Sequence, residues 1–173
     1  MEWLRKELGL EVNREKSGSG PSGKSSLLGF RLHEDGRIGI SPKAVEKLKE
    51  KVKEYWDARQ SKTSGELREQ WQSYIRGWWN YFQLADWRRT VKALSGSIRR
   101  HMRKCFWQRW HHPRGRINAL KRLGVKGRVL GMAYSGLGAW AIARHWVMQS
   151  ALKTKTLNNY GFIIPWDFAE SGK

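Results

Sequence analysis

Apolar positions recur every three or four residues along three long stretches of the chain, and this spacing predicts three amphipathic helices. The predicted helices cover residues 41–59, 64–84 and 87–110. Ser41 and Pro42 support the first boundary, because serine caps helices and proline fits the first helical turn. The connections between the three helices are short, so the pattern predicts a small helical bundle.

The helix predicted for residues 87–110 has two chemically opposite sides. Its apolar side consists of Val91, Leu94, Ile98, Met102 and Cys105. The opposite side carries Arg88, Lys92, Arg99 and Arg103, with Arg89, Arg100 and Lys104 next to them, whereas Arg109 lies towards the apolar side. Such a helix needs a hydrophobic core on one side and an anionic partner on the other.

Shorter elements precede the first long helix. Residues 1–9 predict a short helix and residues 10–12 a short strand. Residues 27–32 and 37–40 flank an Asp35-Gly36 turn and predict a β-hairpin. The first two elements have little apolar surface of their own, which indicates that they are the end of a larger unit.

The C-terminal part of the chain predicts a series of short elements. Residues 111–116 predict a basic loop, residues 117–123 a short helix and residues 139–152 a final helix. The apolar tail 162–166 is expected to pack back on the bundle. Residues beyond Phe168 are expected to fray.

The chain is strongly basic. Its 173 residues hold 34 Lys and Arg against 15 Asp and Glu, which gives a formal net charge of +19 and a pI of about 10.6. A compact domain with this charge repels itself unless a polyanion neutralises it, so nucleic acid is the predicted partner. The alternative is a basic, solvated surface on a ribosomal-like protein or another non-enzyme. Most of the 11 Trp residues are expected in the core, with a minority free to stack on bases.

The cysteine content and the hydropathy exclude several classes of protein. The single cysteine, Cys105, excludes an intrachain disulfide and a cysteine-based zinc site, and it is expected to be a small buried residue. No apolar run reaches the ~18 residues of a membrane span, and the N-terminus lacks the core of a signal peptide. We therefore expect a soluble, cytoplasmic protein without a membrane partner.

Two motifs have the residue spacing of ligand-binding sites but lack the neighbouring residues that such sites need. Gly18 with Gly23-Lys24-Ser25 matches a phosphate-binding loop, although charged residues precede it and no hydrophobic strand ending in aspartate follows. His111 and His112 are adjacent, but no carboxylate or cysteine lies nearby in the sequence to complete a metal site. Neither motif predicts a bound nucleotide or metal.

The sequence contains no recognisable catalytic set. Two-metal polymerase chemistry needs at least two carboxylates that converge on magnesium. The aspartates are Asp35, Asp57, Asp86 and Asp167, which are scattered over turns and helix ends. No serine lies in a nucleophile-elbow motif. From these residues alone the chain is a binding domain with no catalytic residue, no metal ligand and no cofactor.

Several segments carry motifs of a known family. Residues 8–17 and 27–32, LGLEVNREKS and LLGFRL, resemble the last palm segments of group II intron reverse transcriptases. Residues 75–82, IRGWWNYF, are similar to a signature of the maturase-specific domain, also called domain X or the thumb. Residues 98–110 match a basic helix of that domain with its two tryptophans, and residues 120–124 match its L..LG motif. The resemblance covers nearly the whole chain.

The resemblance implies a fold and a division of the chain. The fold would be mainly α, a three-helix thumb bundle with additional C-terminal helices and a short N-terminal β-hairpin from the edge of the palm. Residues 1–40 would be the tail of the palm and residues 41–168 the maturase-specific domain. Residues 169–173 would be a frayed tail.

The resemblance also implies a function for individual residues, because the family's thumb holds the template–primer duplex and contacts the intron RNA during splicing. It implies nucleic-acid contacts at Arg76, Arg99, Arg100, Arg103, Lys104 and Arg109. The basic side of the third helix and the basic loop after it add Arg88, Lys92, Arg114 and Arg116 to the predicted contacts. The motif residues expected to pack within the bundle are Gly77, Trp78, Tyr81, Phe82, Trp107 and Trp110. Glycine in the middle of a helix costs about 1 kcal/mol relative to alanine, which suggests that another backbone approaches Gly77 closely. The alternative is that the helix merely tolerates glycine at this position.

The chain also departs from the family pattern. The family's Tyr-x-Asp-Asp motif would lie upstream of Met1, so Mg²⁺ is expected only together with a complete palm. With a single cysteine, we do not expect these 173 residues to include the zinc-bearing endonuclease domain of some relatives. Three functions remain open: an RNA-binding thumb that assists splicing of a group II intron, the C-terminal half of a split RNA-directed DNA polymerase that docks to a separately encoded palm, and a truncated remnant without function.

Overall fold

The computed structural model describes residues 26–171 of the chain, and these are mainly α-helical, as the sequence predicts. Three predictions lie outside the described residues. They are the helix over 1–9, the strand over 10–12 and the phosphate-loop match that ends at Ser25.

The described part begins with a small antiparallel sheet. Its strands are β1 (Ser26–Leu27), β2 (Phe30–Leu32) and β3 (Ile38–Ile40), in that order across the sheet. The β2–β3 pair confirms the predicted hairpin. Residues 27–32 are not one strand, however, because Leu28 and Gly29 both have positive φ angles, 52° and 84°. Two successive left-handed residues form the tight turn that joins β1 to β2.

The helices follow in chain order. They are α1 (Pro42–Tyr55), α2 (Ser64–Phe82), α3 (Arg88–Arg109), α4 (Pro113–Arg122), a 3₁₀ helix (Gly127–Tyr134), α5 (Ala139–Arg144), α6 (Trp146–Ala151), α7 (Thr154–Asn159) and α8 (Pro165–Ser171). The first three confirm the predicted amphipathic helices to within a few residues.

Side-chain hydrogen bonds determine where α1 begins and ends. The Ser41 hydroxyl oxygen accepts from the backbone N–H of Ala44 at 3.2 Å, which is the predicted cap. The helix ends at Tyr55, four residues before the predicted Arg59. There the Gln60 amide donates to the carbonyl oxygen of Tyr55 at 2.5 Å and so supplies a partner for the last turn.

Two predicted boundaries in the C-terminal part are wrong. Residues 111–116 are not a loop, because α4 starts at Pro113, which needs no backbone donor in the first helical turn. The predicted helix over 139–152 is two helices. His145 separates them with an extended backbone (φ −67°, ψ 142°), and its ring Nδ1 accepts from the N–H of Val147 at 3.3 Å.

One continuous core holds the long helices and the C-terminal elements together. Its fully buried side chains include Leu48, Trp56, Trp71, Ile75, Ile98 and Met102 from the bundle and Ile142, Leu157 and Ile164 from the C-terminal part. Cys105 is buried in the same core, as predicted. The C-terminal helices are therefore part of the same folded unit as the bundle.

The C-terminal tail packs back on the bundle, as predicted. The indole N–H of Trp71 donates to the carbonyl oxygen of Ile163 at 2.6 Å. Helix α8 then packs against α2 and α3. The chain does not fray directly after Phe168, because α8 continues to Ser171 and Ala169 still contacts the core.

Candidate nucleic-acid interface

The charge of the chain is concentrated in one segment. Residues 87–166 contain 17 Lys and Arg and no Asp or Glu, whereas residues 1–86 contain 16 Lys and Arg against 13 Asp and Glu. The segment without carboxylates spans α3 to α7. Almost the whole excess of positive charge therefore lies on those helices and their connections. Counting charges along the sequence would locate this segment, whereas the helical periodicity of α3 identifies only part of it.

The N-terminal turns of α3 present a basic surface to solvent. Arg88, Arg89 and Lys92 are all exposed there, while Val91 and Leu94 point into the core. No acidic residue lies in the first turn of α3. This part of the helix has the two-sided character that the sequence predicts.

The C-terminal turns of α3 differ from the prediction, because α5, α8 and the end of α6 cover their basic side. Arg103 is buried, and its Nε and Nη2 atoms donate to the carbonyl oxygen of Leu152 at 3.2 and 3.1 Å. Arg99 is only 20 % exposed at its side chain, and its guanidinium lies 3.9 Å from the Asp167 carboxylate. Burial lowers the pKa of Arg103. The structure therefore corrects the placement of Arg103, which lies in the interior and not on a surface that meets phosphates.

Four other predicted contact residues are half-buried and partly engaged within the chain. Arg109 donates to the carbonyl oxygen of Lys62, and Arg100 donates through Nε to the carbonyl oxygen of Gly96 at 3.2 Å. The Lys104 ammonium lies 5.1 Å from the centre of the Trp140 ring, and the Arg116 guanidinium lies 4.4 Å from the centre of the Trp107 ring. These four side chains therefore already make contacts within the folded chain and are less available to a ligand than exposed cations are.

Several exposed cations are absent from the predicted set. Arg76 on α2 and Arg114 on α4 are exposed, as a surface contact requires. The additional exposed cations of the segment without carboxylates are Lys121, Arg122, Lys126, Arg128, Arg144, Lys153 and Lys155. They lie on α4, the 3₁₀ helix and α5 to α7 or next to them. The periodicity of α3 places most of the predicted contacts on that helix, whereas the exposed charge is spread over its neighbours as well.

A comparison with known protein families matches the part of the chain that contains the first four helices. Residues 45–124 match the model of the group II intron maturase-specific domain, from the first turn of α1 to the end of α4. Residues 45–124 belong to this family. The match confirms the resemblance for these residues and makes this segment a maturase-specific module of a group II intron protein. A comparison with curated proteins found no match.

Within the maturase-specific domain, the α2 signature divides into packing residues and exposed ones. Trp78 and Phe82 are buried, as predicted, with their ring centres 4.8 Å apart. Tyr81 is 46 % exposed, although its ring stacks on Phe30 at 5.2 Å. Gly77 is exposed, and a Cβ atom placed on it would have nothing within 4 Å. The expected close approach of another backbone to Gly77 is thus wrong within the described residues.

The two tryptophans near the end of α3 pack as predicted. Trp107 is 2 % exposed, Trp110 is half-buried, and their ring centres lie 6.3 Å apart. The Trp107 ring also receives the Arg116 guanidinium from α4. In the maturase-specific domain this pair joins the end of α3 to α4.

Two titratable groups on α3 are strongly shifted by their surroundings. Burial, followed by the nearby charges of Lys104, Lys53 and Arg100, lowers the pKa of His101 to about 4. Burial raises the pKa of the Cys105 thiol to about 11. The imidazole is therefore neutral and the thiol protonated near neutral pH, and neither side chain is a ready nucleophile or phosphate contact.

Residues 26–171 contain neither a cluster of metal-binding side chains nor a membrane-spanning helix. No group of three or more His, Cys, Asp or Glu side chains there is placed to hold a metal ion. His111 and His112 lie next to each other on the surface, with ring centres 6.2 Å apart. Within the same residues no helix is both long and apolar enough to cross a membrane.

Proposed function

We propose that this chain is an RNA-binding thumb that assists the splicing of a group II intron and grips a template–primer duplex in a complete polymerase. The maturase-specific domain supplies the family context. The observation that carries the proposal is the segment 87–166, with 17 Lys and Arg and no carboxylate. An RNA backbone presents one negative charge per nucleotide, and the cations of this segment attract it.

The contacts would be made chiefly by the exposed cations and less by the buried ones. Arg88, Arg89 and Lys92 lie on successive turns at the start of α3 and are free of acidic neighbours on that helix. Arginine forms paired hydrogen bonds with phosphate oxygens, whereas lysine acts as a point charge. Contacts of this kind set position and affinity but do not read sequence.

The first test is binding of the purified chain to a structured group II intron RNA and to an unrelated structured RNA across a salt series. We expect the logarithm of the binding constant to fall by about 0.7–0.9 per phosphate contact for each tenfold rise in salt. A clear preference for the intron RNA at moderate salt, together with faster splicing when the chain is added, would support the proposal. Equal binding of both RNAs would contradict it.

A variant with Arg88, Arg89 and Lys92 changed to alanine tests the surface directly. Removing three phosphate contacts should weaken binding and reduce the salt slope by about 2–3. The matched control is Lys43 and Lys47 changed to alanine, because these lysines are exposed on α1, outside the segment without carboxylates. A salt slope unchanged in the α3 variant, or reduced equally in the control, would contradict this assignment.

The second candidate function is completion of a polymerase by docking to a separately encoded palm. It is favoured by apolar side chains exposed near the sheet: Leu27, Leu28, Leu32, Ile38 and Leu84, the last of which is 86 % exposed. Patches of this kind often mark protein contacts. Mixing the chain with a palm fragment should then give a complex that extends a primer, which neither part does alone. A chain that is cleaved readily by low amounts of protease and binds no RNA preferentially would be a non-functional remnant.

A further inference from the structure

Two tryptophans stand apart from the others in the described residues. Of the ten Trp residues between residues 26 and 171, eight are buried or half-buried, whereas Trp140 and Trp146 are 44 % and 60 % exposed. Trp140 lies in α5 and Trp146 begins α6. Burial of a large aromatic side chain stabilises a fold, so two rings left in water contribute little to this core.

The Trp140 ring is held against α3 by two contacts. The His101 ring lies at 4.8 Å with an interplanar angle of 86°, and the Lys104 ammonium lies 5.1 Å from the ring centre. These contacts leave almost half of the residue accessible. Trp140 therefore presents part of its ring to solvent, with a cation lying over the ring.

The positive charge near these rings favours a nucleic-acid ligand. Arg144 is exposed on α5 four residues after Trp140, on the same side of the helix. No Asp or Glu lies in the sequence between residues 87 and 166. Aromatic rings combined with cations bind single-stranded nucleic acid, because bases stack on the rings while phosphates meet the charges.

We propose that Trp140 and Trp146 stack on unpaired bases of an RNA strand, whose phosphates are met by Lys104 and Arg144. This inference rests on the proposed RNA-binding function and adds to it a site for unpaired nucleotides whose two stacking rings lie outside residues 45–124. Base-paired RNA offers no free base faces along its length, so the site distinguishes a strand from a duplex.

The test compares three probes with equal numbers of phosphates: a short oligouridine, an abasic RNA strand and an RNA duplex. For Trp140→Ala and for Trp146→Ala we expect oligouridine binding to weaken by about five- to 100-fold, since stacking accounts for that range per base. Binding of the abasic strand and the duplex should stay as in the wild type. Trp140→Phe should retain most of the affinity because it keeps a flat ring.

The matched control is Leu137→Ala, which removes another exposed apolar side chain, 52 % accessible, that carries no aromatic ring. It should bind all three probes as the wild type does. A thermal unfolding curve for each variant checks that the fold is intact, and Trp146, at 60 % exposed, is the variant least able to disturb it.

The outcomes separate the two proposals. Oligouridine affinity unchanged in both Trp variants, or lost in parallel with abasic and duplex affinity, overturns the stacking site and leaves the RNA-binding function standing. Tighter binding of an oligothymidine DNA strand than of oligouridine overturns the assignment to RNA. A wild-type chain that binds none of the three RNA probes overturns the proposed function itself.

Discussion

Arg103 donates two hydrogen bonds to the carbonyl oxygen of Leu152, at 3.2 and 3.1 Å, from a position that is only 9 % exposed. The residues are 49 positions apart in the sequence, so the contact joins α3 to the end of α6. The carbonyl that follows α6 would otherwise lack a partner in the interior. Arg103 is thus a structural residue, although it lies on the helix side that its neighbours make basic.

Replacing Arg103 with alanine should destabilise the fold. We expect the free energy of unfolding to fall by about 2–3 kcal/mol, because a charged pair of hydrogen bonds is lost and the Leu152 carbonyl oxygen stays buried without a donor. Urea denaturation measures the loss. The control is Arg88→Ala on the exposed start of the same helix, which should change stability by less than about 0.5 kcal/mol. Equal losses in both variants would contradict the distinction between them.

Gly161 is required at the end of α7 for two reasons. Its φ angle is +79°, and a Cβ atom there would lie 2.9 Å from the Cδ atom of Arg68. The Gly161 N–H donates to the carbonyl oxygen of Asn158 at 2.8 Å, which completes the helix end. Gly161→Ala should therefore lower the free energy of unfolding by about 1–3 kcal/mol.

The control for that variant is Gly136→Ala, also measured by denaturation. Gly136 is exposed, its φ is not left-handed, and a Cβ atom on it would meet nothing within 4 Å. Its stability should stay within about 0.5 kcal/mol of the wild type. If Gly161→Ala were equally neutral, the strained turn would not be needed for the tail to pack on α2.

Local signals in the sequence were enough to predict the three long helices. Ser41 with Pro42 marks the start of α1, and the apolar spacing from Val91 to Cys105 identifies the buried side of α3. These signals act within one or two helical turns. They carry no information about elements that return from far along the chain, so the covering of Arg103 by the end of α6 could not be read from them.

The break in the predicted last helix has a local cause that propensity does not reveal. His145 adopts an extended backbone, and its ring Nδ1 accepts from the N–H of Val147. Histidine is an uncommon cap, so the apolar spacing across the break predicted a continuous helix. The candidate interface was predicted in part for a similar reason: exposure of a cation depends on tertiary packing, whereas its presence depends only on the sequence.

Gly77 offers a test of whether the α2 surface has a hidden packing requirement. A Cβ atom there would meet nothing within 4 Å, and glycine within a helix is less favourable than alanine. Gly77→Ala should raise the free energy of unfolding by about 0.5–1 kcal/mol. Thermal and urea unfolding measure it. A destabilised variant would show that another part of the chain contacts this position.

The neutral His101 ring makes stability depend on pH in a defined window. Its pKa is about 4 in the folded protein against 6.5 for the unperturbed group. Between these values the unfolded chain binds the extra proton, so the free energy of unfolding falls as the pH falls from 6.5 to about 4. Because the ring keeps partial access to water, we expect a contribution on the order of 1–2 kcal/mol.

The contribution of His101 to the pH dependence is measured as the difference between the wild type and a variant without this imidazole ring. His101→Phe removes the titrating group and keeps a ring next to Trp140, and the His101 Nδ1 atom has no hydrogen-bond partner to lose. Urea denaturation of wild type and variant at both ends of the window should give a smaller pH dependence for the variant. Well above pH 6.5 the wild-type ring is neutral whether the chain is folded or unfolded, so it contributes nothing to the pH dependence of stability there. Parallel curves for the two proteins would show that the folded pKa of His101 is not depressed and that its environment is more hydrated than its burial indicates.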